Sequence, residues 1–189
     1  YYVFPYRKNL VRRNLRNSFP KKTKTARRKI ERLFYKNLCD YAVETLKLLT
    51  ISRKELRKRV IFTNPEIITA YREKNIPVIA LASHQFNWEW LLAAGNLHFT
   101  TDFVFQPIKT SLTNKLLLAC RTHFGGHAIK RNDLGREMVK RKNLCRLIAI
   151  VSDQYPGQKK DKKYITRFLN QETAFFQAPN QIASLTKYP

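Results

Sequence analysis

The chain has 189 residues, 43% of them hydrophobic, with twelve Phe and nine Tyr, so it can bury one domain core and is too apolar for a disordered chain. Thirty-seven Lys and Arg against thirteen Asp and Glu give a formal charge of +24 at pH 7, which excludes indifference to polyanions. Charge alone does not choose between nucleic acid, an anionic membrane surface, phosphorylated lipid and an acidic carrier protein.

Residues 1–60 hold nineteen Lys or Arg against four Asp or Glu. No run approaches the roughly 18 apolar positions of a membrane span, and no signal peptide is visible. Tyr1 to Tyr6 followed by Arg7 and Lys8 resembles the tail of a hydrophobic segment meeting a basic flank. The last residues, Ser184 to Pro189, stop where a helix should hand over to a strand, so the expectation is an internal piece of a longer protein.

Apolar spacing predicts a long cationic helix over 23–49, with Ile30, Leu33, Phe34, Leu38, Tyr41 and Val43 on or near one face. Ser52 to Glu55 has the form of a capping box for a short second helix, 60–63 reads as a strand, and Asn64-Pro65 opens another helix. A buried strand follows at 77–83, then a helix over 87–98, a strand over 103–107 and a helix over 112–124 that Gly125-Gly126 ends. A short strand at 127–129, a helix over 133–142 and a second buried strand at 146–152 complete the alternation.

That alternation predicts an α/β fold: a mostly parallel central sheet flanked by helices, with a basic amphipathic helical segment at 1–60 and the core at 61–189. Parallel sheets buried on both faces have near-continuous apolar strands, and their ligands bind beyond the carboxyl ends. His84 and Asp153 both fall there.

His84 is followed five residues on by Glu89. An imidazole can take a proton from a hydroxyl near neutral pH, and a carboxylate on its far nitrogen fixes the tautomer and stabilises the imidazolium. A loop at His84 and a helix starting near Asn87 would let the two side chains meet. The plain alternative is a loop histidine and a helix-start acid favoured by the macrodipole. A histidine and acid could also serve a Ser or Cys nucleophile, but no G-x-S-x-G elbow is present. Amide groups near Asn87 and the Arg121 guanidinium are candidate oxyanion donors.

Cys39, Cys120 and Cys145 are odd in number and lack C-x-x-C spacing, which argues against a disulfide framework and suits a reducing compartment. His123 and His127 are four apart, but Gly125-Gly126 breaks the helix that would align them, which speaks against zinc. No nucleic-acid motif interleaves with the basic residues, so a nucleic-acid module is the minor alternative.

Further stretches join these: Arg13 to Pro20, Phe105 to Thr110, Arg121 ahead of Phe124-Gly125, the Ser152-Asp153-Gln154-Tyr155-Pro156-Gly157 turn, and Phe168 to Pro179. Together they resemble the bacterial lipid A biosynthesis acyltransferases, which add lauroyl or myristoyl chains, within the lysophospholipid acyltransferase superfamily. The likeness runs from about Tyr6 to the end. It implies that His84, oriented by Glu89, is the general base activating an acceptor hydroxyl for attack on an acyl thioester, with Asn87, Lys109, Arg121, Asp153 and Gln154 as substrate-binding residues. The implied partners are acyl carrier protein or acyl-CoA as donor, a phosphorylated glycolipid acceptor and an anionic membrane surface, at the cytoplasmic face of the bacterial inner membrane. No cofactor and no metal is implied. Two positions depart from the family pattern: Gln106 stands where an arginine is expected, and Gln177-Ala178 where a glycine is common.

Overall fold

A computed structural model describes residues 6–108, 110–157 and 161–189 of the chain. Helix α1 (Lys8–Ser18) precedes α2 (Lys24–Lys47), whose first turn is capped by the Thr23 hydroxyl accepting from the Ala26 amide at 3.2 Å. The expected capping box opens α3 (Arg53–Arg59), with Ser52 Oγ accepting from the Glu55 amide, and proline stands just inside α4 (Pro65–Glu73). Then follow β1 (Val78–Ala82), α5 (Trp88–Gly95), β2 (Thr101–Phe105), α6 (Ser111–Thr122), β3 (His127–Lys130), α7 (Leu134–Lys140) and β4 (Leu147–Val151). The chain continues through a hairpin, β5 (Lys163–Phe168) and β6 (Gln171–Phe176), into α8 (Ala178–Thr186). Among the described residues no helix is long and apolar enough to cross a membrane.

Strands β1 to β4 form one parallel sheet in the order β1-β4-β2-β3, and β5 and β6 pair antiparallel as a separate ribbon. Helices pack against the sheet in two cores, though Leu81 of the edge strand β1 stays exposed. In one, Leu48 and Ile51 from the link between α2 and α3, with Leu56 of α3, share a core with Trp90, Ala93, Cys120 and Phe124. In the other, Ile148 and Ile150 of β4 meet Met138, with Leu134, Ile182 and Tyr188 packed around them. The alternation of β4, with residues 148 and 150 on one face, explains why its sequence reads as an unbroken apolar run. At the amino end of the sheet the buried Asp102 holds Arg141 through two bonds of 2.8 and 2.9 Å and lies 2.6 Å from Arg146 Nε, tying α7 and β4 to β2.

Two expectations are corrected. Residues 60–63 do not join a sheet: the Val60 amide closes α3 on the Leu56 carbonyl, and Val60 and Phe62 pack against the first core. The buried face of α2 is also rotated from the apolar one. Glu31, Tyr35 and Thr45 are buried, whereas Leu33, Phe34 and Val43 are exposed. Polar groups can occupy that face because each is satisfied: Arg12 Nε donates to both Glu31 oxygens at 3.0 Å, and the Tyr35 hydroxyl donates to the Tyr6 carbonyl at 2.7 Å.

Candidate active site

Register builds the centre of the site. Ala82 of β1 pairs with Val151 of β4, so the residues two further on, His84 and Asp153, leave adjacent strand ends side by side. Asp153 then grips His84 twice: Oδ2 accepts the backbone amide at 2.9 Å and Oδ1 lies 2.7 Å from ring Nδ1. With the carboxylate as acceptor, Nδ1 carries the proton and Nε2 is the basic nitrogen. Both side chains are about a quarter to a third exposed, so a substrate can reach the ring.

The turn that follows is tight. Phe86 adopts a left-handed φ of 52°, uncommon for an aromatic residue, before α5 starts at Trp88. Asn87 caps α5, its Oδ1 accepting from the Trp90 amide at 3.0 Å and its Nδ2 donating to Glu44 at 2.6 Å. Both ends of its side-chain amide thus have partners within the fold. The Trp88 and Trp90 amides are likewise taken, by the Phe86 carbonyl and by Asn87, which removes two of the expected oxyanion donors.

Glu89 is not the partner of His84. It lies in the first turn of α5 with its side chain fully buried, facing Arg121 on α6. Arg121 Nε and Nη2 donate to the two carboxylate oxygens at 2.8 and 2.6 Å, and the Tyr41 hydroxyl and Trp88 Nε1 donate to Oε1 at 3.1 and 3.2 Å. Among the described residues no hydrogen bond joins Glu89 to His84. The link between them is aromatic: the Trp88 ring stacks edge-on to His84 and tilted against Tyr41, each at 4.4 Å.

Electrostatics follow from that cluster. Burial, and then the Glu89 charge, hold the Tyr41 phenol well above its usual value. Burial pulls the Arg121 guanidinium down, but the bond to Glu89 and its charge outweigh this and leave it raised. Burial likewise raises the Cys120 thiol.

A mostly apolar cavity of about 540 Å³ opens beside His84 and Asp153's neighbour Gln154. Small side chains make the space: Ala80 pairs with Ala149, and Ala149 with Phe103, so small residues sit side by side on β1 and β4. Glu89 and Arg121 form part of its wall. Arg131, which the sequence reading overlooked, also reaches it. It follows β3 directly, at the carboxyl edge where such sites form, pairs with Asp161 and lies over the Phe176 ring at 4.9 Å. Lys109 lies outside the described residues.

The structure thus gathers His84, Gln154, Glu89 and Arg121 around one cavity, with Asp153 rather than Glu89 on the imidazole. A family model described as bacterial lipid A biosynthesis acyltransferase matches residues 3–189. No curated protein matches the chain.

Proposed function

Because the chain belongs to the bacterial lipid A biosynthesis acyltransferase family and is an acyltransferase, we propose that its transfer step runs through His84 with Asp153 as the orienting acid. The observation that carries this reading is that His84, doubly bonded to Asp153, lines an apolar cavity. The acyl chain of a thioester lies in the cavity with its carbonyl toward the imidazole. His84 Nε2 takes the proton from an acceptor hydroxyl, whose oxygen attacks the thioester carbon. As the tetrahedral intermediate collapses, the C–S bond breaks and the imidazolium returns the proton to the departing thiolate.

Asp153 stabilises the imidazolium formed midway. Arg121 uses Nε and Nη2 on Glu89, so Nη1 is the atom through which it acts on the developing oxyanion. Glu89 is then a positioning residue for Arg121. We assign the donor to acyl carrier protein, an acidic partner suited to the basic surplus of residues 1–60, and the acceptor to a hydroxyl of a phosphorylated lipid A precursor. Arg131 and Lys109 are the cations assigned to its phosphates. Such an acceptor places the enzyme at the cytoplasmic face of the inner membrane, with its first 60 residues as the basic membrane-proximal segment.

The test is mass spectrometry of lipid A from cells lacking the gene and carrying wild-type or His84→Ala protein. The wild type restores the missing acyl chain and the variant, present at equal level, does not. Restoration by His84→Ala would end the reading, and an unaltered lipid A in the deletion would remove the proposed acceptor.

A further inference from the structure

The hairpin carries a side chain that its own backbone disfavours. Its two-residue turn places Leu169 and Asn170 at φ 49° and 62°, the left-handed pair of a type I′ turn. Asparagine and glycine suit those positions; leucine does not, because its Cβ meets the following carbonyl. The strained leucine is also not buried: Leu169 is 46% exposed and Phe168 beside it 51%. Tyr164 and Ile165 of β5 are exposed as well, one on each face of the ribbon. Phe168 stands edge-on to Phe175 at 5.7 Å, but neither burial nor turn chemistry accounts for the leucine at position 169.

The tip is fixed against the end of α1. Asn170 Nδ2 donates to the Ser18 carbonyl, Gln171 Nε2 to Ser18 Oγ, and Asn17 Nδ2 to Gln171 Oε1, each at 3.1 Å. That seat is the most one-signed part of the chain: residues 7–30 hold eleven Lys or Arg and no Asp or Glu. Arg16, Lys21 and Lys22 lie within a few positions of Ser18, and with Arg13 they are exposed. An apolar point set among exposed cations matches the layering of an anionic bilayer, phosphates outside and acyl chains beneath.

We propose that the β5–β6 turn is an interfacial anchor, in which Phe168 and Leu169 enter the acyl boundary of an anionic bilayer while Arg13, Arg16, Lys21 and Lys22 hold its headgroups. This deepens the membrane reading above by naming the inserting element, and it needs no assumption about catalysis. The strain at Leu169 is retained because the side chain is used at the membrane rather than in the fold.

The experiment measures binding of the full chain to phosphatidylcholine vesicles with and without phosphatidylglycerol, for wild type, Leu169→Gly and Phe168→Ser. Leu169→Gly relieves the positive φ, so the variant folds at least as well as wild type while binding the anionic vesicles about five- to tenfold more weakly. Leu169→Trp gives emission that shifts blue and is quenched by brominated lipid beyond the signal of the native tryptophans. Transfer to a detergent-dispersed acceptor is unchanged in Leu169→Gly, so loss of anchoring is separable from loss of chemistry, and vesicle binding is readable even if no transfer is found. Unchanged vesicle affinity in Leu169→Gly, or a residue 169 tryptophan blind to brominated lipid, would overturn the proposal.

Discussion

Removing the Glu89 carboxylate separates the two acids of the site. In Glu89→Ala the Arg121 guanidinium, whose side chain is only 20% exposed, loses both its bonds, and the Tyr41 hydroxyl and Trp88 indole lose their acceptor. Breaking one side of a buried ion pair costs about 3–5 kcal/mol. The two orphaned neutral donors would add about 1–3 kcal/mol each if they stayed dry, but water entering the space left by the carboxylate offsets most of that. The expected loss is therefore about 3–5 kcal/mol, or roughly 1.5–2 M in urea midpoint for a chain of this size. Glu89→Gln keeps the shape and a neutral acceptor and loses only about 1.5–3 kcal/mol. Asp153→Ala breaks a pair that is a third exposed and costs under about 1 kcal/mol. Urea unfolding followed by far-ultraviolet circular dichroism reads all three. A Glu89→Ala midpoint within about 0.3 M of wild type would refute the reasoning, since the carboxylate would then not be holding the cluster together.

The Tyr41 phenol is raised above its unfolded value of about 10, so the folded state keeps a proton that the unfolded chain has lost. That stabilisation is complete below about pH 10 and declines as pH climbs toward the folded value; thermal unfolding of Tyr41→Phe should show a shallower alkaline decline than wild type. A Cβ at Gly126 would lie 2.8 Å from Asn96 Nδ2 and 3.1 Å from the Arg121 carbonyl, so Gly126→Ala should cost about 1–3 kcal/mol by urea titration. Ala149→Leu fills the cavity floor and should lower kcat/KM for long-chain donors at least tenfold while sparing short ones, measured across a donor series.

The frame of the sheet was legible because β1 and β4 announce themselves as apolar runs, even though Leu81 of β1 stays exposed, and His84 and Asp153 stand out as the titratable residues just past them. The partner of His84 was not. A spacing of five suggests that chain and side chain fold back together, but α5 starts at Trp88 and turns Glu89 into the core, where Arg121, 32 residues on, competes for it. Nothing local in the sequence distinguishes that burial from the imidazole pairing; the register of Ala82 with Val151 does. The buried face of α2 was misread for a related reason, since Glu31 is held in the interior by Arg12 on another helix. The ribbon escaped notice because Lys163 to Phe168 alternates too weakly: both faces stay largely exposed, and no polarity pattern marks them.

The chemistry of the site depends on which acid serves the imidazole. Single-turnover transfer from an acyl thioester by Asp153→Asn, at an unfolding midpoint equal to wild type, measures it directly. The expected result is a rate lowered about 10²–10⁴-fold, because the amide neither fixes the tautomer nor stabilises the imidazolium. Wild-type rates in Asp153→Asn, beside a stable and inactive Glu89→Gln, would contradict it and return that role to Glu89.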